Sequence, residues 1–328
     1  MSDANTILKI NHLKTYFYTE KGVVPAVDDV SLQVKKGQIV GIVGESGCGK
    51  SMTSLSIMQL VASPGKIAGG EIWFDGKNLV GRSKKEMRSI RGNEISMIFQ
   101  EPMTSLNPVY PVGKQVAEAL LLHHETMSKA EAKEAVIEMF RMVGIPEPRK
   151  RYGVYPHQLS GGLRQRVMIA MALICRSKLL IADEPTTALD VTIEAQILKL
   201  MKNLQAEIDT SIIMITHNLG IVAEMCDYVY VMYAGKIMEQ ADVYELFDDP
   251  KHPYTEGLLR SIPRKDVQQN KAKGLYSIEG MVPNMLQLPT GCRFHPRCEY
   301  AVDACRREEP ELVDLGNGHL VRCIKYMQ

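Results

Sequence analysis

The sequence predicts an α/β fold, and three observations carry that prediction. Short, apolar, β-branched runs recur along the chain: Gln38 to Val43 (QIVGIV), Ile95 to Phe99 (ISMIF), Leu179 to Ala182 (LLIA), Ser211 to Ile215 (SIIMI) and Tyr228 to Met232 (YVYVM). Several are apolar on both faces, as strands are in a sheet covered on both sides. Helical periodicity lies between them, most clearly over Met127 to Val143. There charged residues stand opposite Ala, Val, Ile, Met and Phe, with Ser128 as N-cap and Gly144 as stop. Near the start, Ile7 to Tyr18 and Val23 to Val34 alternate around Gly22, the pattern of an antiparallel hairpin beside the sheet.

With 328 residues the chain has the length of one large or two modest domains. Lys plus Arg number 39 and Asp plus Glu 38, a net charge of +1, which gives no global attraction for nucleic acid or an anionic bilayer. A hydrophobic content of 45% excludes disorder as the main state. The most apolar stretch, Val167 to Cys175, lies between Arg166 and Arg176 and is far shorter than the ~18 residues of a membrane span. The opening MSDANTILKI has neither the basic region nor the apolar stretch of a secretory signal, so a cytosolic location is expected.

Chemistry concentrates in three places. The run from Gly44 to Ser51 fits G-x-x-x-x-G-K-[ST], after a strand and before a helical stretch. Gly44, Gly47 and Gly49 let the backbone curl so that N–H groups point inward, and the following helix turns its positive dipole end to phosphates. Lys50 would reach the β- and γ-phosphates, and the Ser51 hydroxyl would hold Mg²⁺. Downstream, Asp183 and Glu184 end the run LLIA, as a Mg²⁺ carboxylate and a group to orient the attacking water. Between them Leu159 to Arg166 (LSGGLRQR) opens a helix with a glycine pair, the layout of a second anion site built on Ser160, Gly161 and Gly162.

LSGGLRQR, the phosphate loop and IADE, in this order, closely resemble the ATP-binding cassette (ABC) ATPases over about residues 5 to 250. The resemblance implies a P-loop NTPase (RecA-like) core with an antiparallel β subdomain and a helical subdomain inserted at about 102–170. It implies nucleotide contacts from Gly44, Ser46, Gly47, Cys48, Gly49, Lys50, Ser51 and Met52, largely through the backbone. Cys48 and Met52 stand where the family more often has Ser or Gly and Ser or Thr. Gln100 resembles the Q-loop glutamine that touches Mg²⁺ and senses a membrane partner, and His217 the switch histidine that contacts the γ-phosphate and steadies Glu184. Ala188-Leu189-Asp190 resembles the D-loop at a dimer seam. An early aromatic is implied as the adenine platform; Phe17 is favoured over Tyr16 and Tyr18, although strand alternation leaves all three open.

Beyond Gly235 the pattern weakens. Pro263 to Lys273 reads as a polar linker, and a boundary is expected near 255 to 265, dividing the chain into 1–255 and 256–328. The last part holds Cys292, Cys298, Cys305 and Cys323. In a reducing compartment such a group points to metal more than to disulfides. The spacing C-x5-C-x6-C-x17-C matches neither a zinc ribbon nor the compact ferredoxin run, so by itself it leaves zinc and iron–sulfur open. Arg293, Arg297, Arg306 and Arg307 lie beside the cysteines and are expected to offset thiolate charge. His295 is expected to pack or hydrogen-bond beside Pro296 rather than to ligate.

A narrower resemblance adds to this. DDPKHPYTEGLL, GCRFHPRC, EPMTSLNP and EPTTALDVT resemble the ATPase subunits of bacterial dipeptide and oligopeptide importers. That resemblance implies ATP hydrolysis coupled to peptide import, with ATP, Mg²⁺ and a structural [4Fe-4S] cluster on the four cysteines, zinc being the alternative. It implies two membrane permease subunits, a second ATPase subunit (unlike favoured over like), an extracytoplasmic peptide-binding protein reached indirectly, no nucleic acid, and a peripheral place on the cytoplasmic face of the membrane. The competing readings are an importer for nickel or another small solute and a soluble ABC ATPase acting on nucleic acid. The latter generally carries two cassettes or a long coiled-coil insertion, and neither occurs here.

Overall fold

A computed structural model describes residues 5–100, 105–187, 189–262 and 276–327. The expected linker Pro263 to Lys273 and Ala188 of the D-loop lie outside the described residues, as does the run EPMT at 101–104. The strands in chain order are β1 (Thr6–Thr19), β2 (Gly22–Lys35), β3 (Ile39–Val43), β4 (Gly65–Phe74), β5 (Lys77–Asn78), β6 (Ile95–Ile98), β7 (Leu179–Asp183), β8 (Ser211–Thr216), β9 (Tyr228–Tyr233), β10 (Lys236–Asp242), β11 (Val313–Asp314) and β12 (Leu320–Val321). The chain forms two compact units, one from Met1–Leu8, Val34–Ile39 and Phe74–Met214, the other from Lys9–Gln33, Val40–Trp73 and Ile215–Gln328.

In the first unit β6 and β7 run parallel, with Ile95 opposite Leu179 and Ile98 opposite Ala182. All five residues of β7 are buried, which is why LLIA carries no polar alternation. The helical insertion begins with helices Val112–His123 and Lys129–Met142. The second starts as its sequence specifies: the Ser128 side chain accepts from the Glu131 N–H while Glu131 reaches back to the Ser128 N–H, a capping box. It buries Ala132, Val136, Ile137, Met139 and Phe140 along one stripe and stops at Gly144, whose φ of 71° suits glycine.

In the second unit the strand order is β11-β12-β10-β9-β3. β9 pairs parallel with β3, Val40 opposite Tyr228 and Val43 opposite Val231. β10 returns antiparallel on β9 after Ala234 and Gly235, both at positive φ (45° and 85°). β12 pairs antiparallel with β10, Glu239 opposite Val321, so the cysteine-bearing segment 276–327 extends the sheet that carries the phosphate loop. β1, β2 and β4 belong to a separate antiparallel sheet in the order β2-β1-β4, the hairpin expected around Gly22 joined by a strand the sequence pattern did not show. β4 does not read as a strand because its run GKIAGGEIWF is interrupted by three glycines, which weaken a strand pattern.

Phe140 is fully buried. Phe140→Ala is expected to destabilise the first unit by about 3–5 kcal/mol, read as a lower urea midpoint; an unchanged midpoint would contradict this packing.

Candidate functional site

The phosphate loop belongs to the second unit. All five residues of β3 are buried, so the strand ends rigidly at Gly44. A Cβ on Gly44 would lie 2.1 Å from the Met232 carbonyl oxygen, and one on Gly49 would lie 2.3 Å from that of Ala26. The loop is therefore pressed against β9 on one side and β2 on the other, and only glycine fits at either end. Its exit is pinned by the Gly235 N–H donating to the Cys48 carbonyl (2.9 Å). Helix Lys50–Ile57 follows, with Gly49 as N-cap and no side chain capping it. Its first turn thus presents backbone to an anion. Lys50 is 6% exposed and donates from Nζ to the carbonyls of Gly44 (2.6 Å) and Glu45 (3.1 Å), folded across its own loop. Ser46 and Gly47 are exposed, while Ser51 and Met52 are half-buried. Cys48 turns inward, fully buried, and burial pushes its thiol above the usual range.

The three early aromatics differ in what holds them. The Tyr16 hydroxyl donates to Asp28 (2.6 Å), and the Lys66 ammonium stands over the Tyr18 ring, 4.4 Å from its centroid. Phe17 shares its strand face with Thr15, whose hydroxyl bonds that of Ser56 on the phosphate-loop helix (2.7 Å). The Phe17 ring lies over Gly65, where a Cβ would meet it at 2.6 Å. His217 follows β8 and is exposed, just ahead of helix Leu219–Met225, which Asn218 caps through the Gly220 N–H (2.9 Å).

The carboxylates belong to the first unit. Asp183 ends β7, 3% exposed. Glu184 follows at φ 48°, a left-handed conformation that costs a non-glycine residue about 1–3 kcal/mol and is characteristic of functional sites. Its carboxylate accepts from Gln100 Nε2 (3.2 Å) and from the Thr187 hydroxyl (2.9 Å), so two residues from different elements aim it. Ser160 caps helix Gly161–Leu173 by accepting from the Leu163 N–H (3.4 Å). A Cβ on Gly162 would approach Ile193 to 2.9 Å. Asp190 caps helix Val191–Ile208 through the Ile193 N–H (3.0 Å).

One residue that the motif reading did not single out acts here. Gln165 of LSGGLRQR is fully buried, and its Nε2 donates to the Pro185 carbonyl directly after Glu184. No local pattern distinguishes it from a surface glutamine on a helix.

The four cysteines of the C-terminal segment line a single cavity of about 730 Å³, together with His252, Phe294, His295, Tyr300 and Tyr326 among others. Burial raises the thiols of Cys292, Cys298 and Cys323, Cys292 to about 11, and in each the neighbouring cysteines add to the shift. His295 Nδ1 bonds the Cys292 carbonyl (2.9 Å), as expected for a packing residue. Two arginines correct the sequence expectation. Arg293 pairs with Asp28 and donates to the Ala234 carbonyl, and Arg297 pairs with Glu45, so both charges are spent on the phosphate-loop side rather than on the thiols. Arg306 and Arg307 are exposed.

Among the described residues no helix is long and apolar enough to cross a membrane. A glycine-walled phosphate loop, a carboxylate pair ending a buried strand and an LSGG-capped helix define the ATP-binding cassette ATPases. Residues 27–187 match the family model described as ABC transporter, and 238–305 match that described as Oligopeptide/dipeptide transporter, C-terminal region. The chain is similar to the dimeric post-hydrolysis structure of an ATP-binding cassette bound to ADP and Pi (TM-score 0.65, 27% identity, 72% of this chain and 98% of that one). It is also similar to cbiO1 of Clostridium perfringens (TM-score 0.64, 29% identity, 75% and 92%). It is 53% identical to the oligopeptide transport ATP-binding protein AppD of Bacillus subtilis, over 98% of this chain and 97% of that protein. Identity to the dipeptide transport ATP-binding protein DppD of Escherichia coli is 49%, over 97% and 96%. The chain belongs to the family of ATP-binding proteins of oligopeptide and dipeptide ABC transporters.

Gly49→Ala is expected to abolish measurable ATP binding, because its Cβ has no room beside the Ala26 carbonyl. Calorimetric titration with ATP and Mg²⁺ checks this, and native affinity would contradict the loop geometry.

Proposed function

We propose that this chain hydrolyses ATP to energise import of dipeptides or oligopeptides through separate membrane permease subunits. The carrying observation is the cassette together with the second match over 238–305, which ties the ATPase to peptide transporters. The nickel and nucleic-acid readings have no comparable support.

In this reading Phe17 stacks on adenine, and the backbone from Gly44 to Met52 cradles the phosphates. Lys50 exchanges its two loop carbonyls for phosphate oxygens, a swap that keeps its ammonium hydrogen-bonded throughout. Ser51, Gln100 and Asp183 hold Mg²⁺, and Glu184, aimed by Gln100 and Thr187, orients the attacking water. His217 completes the γ-phosphate contacts. A second ATPase subunit, unlike or like, contributes Ser160, Gly161 and Gly162 to the same nucleotide, with Asp190 at the seam. Closure around ATP passes to the permeases near Gln100, at the cytoplasmic face of the membrane, and an extracytoplasmic binding protein delivers peptide to them.

In this reading the ATPase occupies 1–255 and the four-cysteine segment 256–328. A [4Fe-4S] cluster is the group proposed for the four thiols, with zinc as the alternative. What supports a shared group is that Cys292, Cys298, Cys305 and Cys323 line one cavity; among the described residues no group of three or more His, Cys, Asp or Glu is placed to hold a metal ion. When bound, such a cluster supplies a covalent cross-link for a loop-rich segment.

Glu184→Gln is expected to keep ATP affinity and lose turnover, measured by calorimetry and phosphate release; unchanged turnover would refute its role. Lys50→Ala is expected to lose binding itself. Protein purified without oxygen is expected to hold about four irons and four sulfides per chain; one zinc without sulfide would overturn the cluster and leave the ATPase reading standing.

A further inference from the structure

Glu45, the second residue of the phosphate loop, is held from three directions. Its N–H donates to the Tyr254 hydroxyl (2.9 Å), its carbonyl accepts from Lys50 Nζ (3.1 Å), and its carboxylate meets the Arg297 guanidinium through two bonds (2.7 and 3.1 Å). Arg297 is 4% exposed at its side chain and immediately precedes Cys298, on the turn His295–Arg297. Its other donors reach the carbonyls of Glu279 (2.9 Å) and Ile278 (3.2 Å) and the Tyr233 hydroxyl (3.4 Å). All five guanidinium N–H groups therefore have acceptors, an arrangement that fixes the head group in a single orientation.

Beside it, Arg293 clamps Asp28 and the Ala234 carbonyl, and the next residue, Gly235, donates to Cys48. The cysteine segment thus grips the loop at its entry and steadies the strand turn that pins its exit. A merely exposed ion pair would contribute little. This one is part-buried, with the Arg297 side chain 4% exposed, two-pronged, and made by the residue whose own carbonyl accepts from Lys50.

We propose that Arg297 is a positioning residue for ATP binding, acting through Glu45 to set where Lys50 and the loop stand. The cysteine segment thereby controls nucleotide affinity. The proposal rests on the nucleotide-site reading above and extends it to a residue outside every nucleotide motif.

The test measures ATP Kd by calorimetry, and KM and kcat by phosphate release, on the full-length chain. Arg297→Ala is expected to weaken ATP about tenfold, the scale on which outer support tunes a ligand site, with Arg297→Lys intermediate and kcat at saturating ATP little changed. Glu45→Ala combined with Arg297→Ala is expected to lose no more affinity than the worse single variant, because the two act as one unit. Arg306→Ala, exposed on the same segment, is expected to leave Kd at the native value. Additive losses, or a kcat that falls while KM stays fixed, would overturn the proposal. Where Arg297→Ala does not fold, Arg297→Lys and Glu45→Gln decide: native Kd in both sinks the idea. If Lys50→Ala then loses ATP, the importer reading stands; if it too binds natively, the nucleotide-site reading falls as well.

Discussion

The close approach of the phosphate loop to two neighbouring backbones is the constraint on which the rest depends. Gly44 sits against the Met232 carbonyl and Gly49 against that of Ala26, each nearer than any side chain allows. That contact requires β9 to lie parallel beside β3, and it requires β2 to deliver Ala26. A loop squeezed in this way keeps its curl without a ligand, so little ordering has to accompany ATP binding. Lys50, unable to leave a buried position, turns its ammonium onto the loop's own carbonyls.

The first unit shows a different economy. Glu184 stands in a left-handed conformation that its own side chain disfavours, and neighbours hold it there. Gln165 takes the Pro185 carbonyl, Thr187 and Gln100 take the carboxylate, and the Thr186 hydroxyl reaches Glu194 (2.9 Å) at the start of the next helix. A strained residue with several independent restraints is held in one orientation. The restraint from Gln165 also makes the LSGG helix and the carboxylate strand one mechanical piece.

Buried charge in the second unit is organised around the C-terminal segment. Burial alone would make Asp28 harder to ionise, yet the Tyr16 hydroxyl, Lys236 and Arg293 hold its carboxyl below the usual range. Tyr16 is consequently committed to Asp28, which distinguishes it from Phe17 although the two are adjacent in sequence. Glu239, fully buried, is satisfied by the N–H groups of Lys251 (2.6 Å) and His252 (3.0 Å) and by His319 Nε2 (2.7 Å), a second junction between β10 and the segment that follows.

The sequence by itself determined the strands buried on both faces, the N-cap at Ser128, the hairpin around Gly22 and the three nucleotide motifs. Each of these is local: a period, a cap, or glycines at fixed offsets act within a few residues. What only the tertiary structure decided lies in long-range pairs. Nothing near Arg297 in the chain points to Glu45, 252 positions away, and nothing near Gln165 points to Pro185. The cysteine spacing likewise did not show that the four thiols line one cavity together with His252. A guanidinium or amide has the same local signature whether it faces solvent or a buried acceptor, and only packing, which desolvates both partners at once, tells them apart.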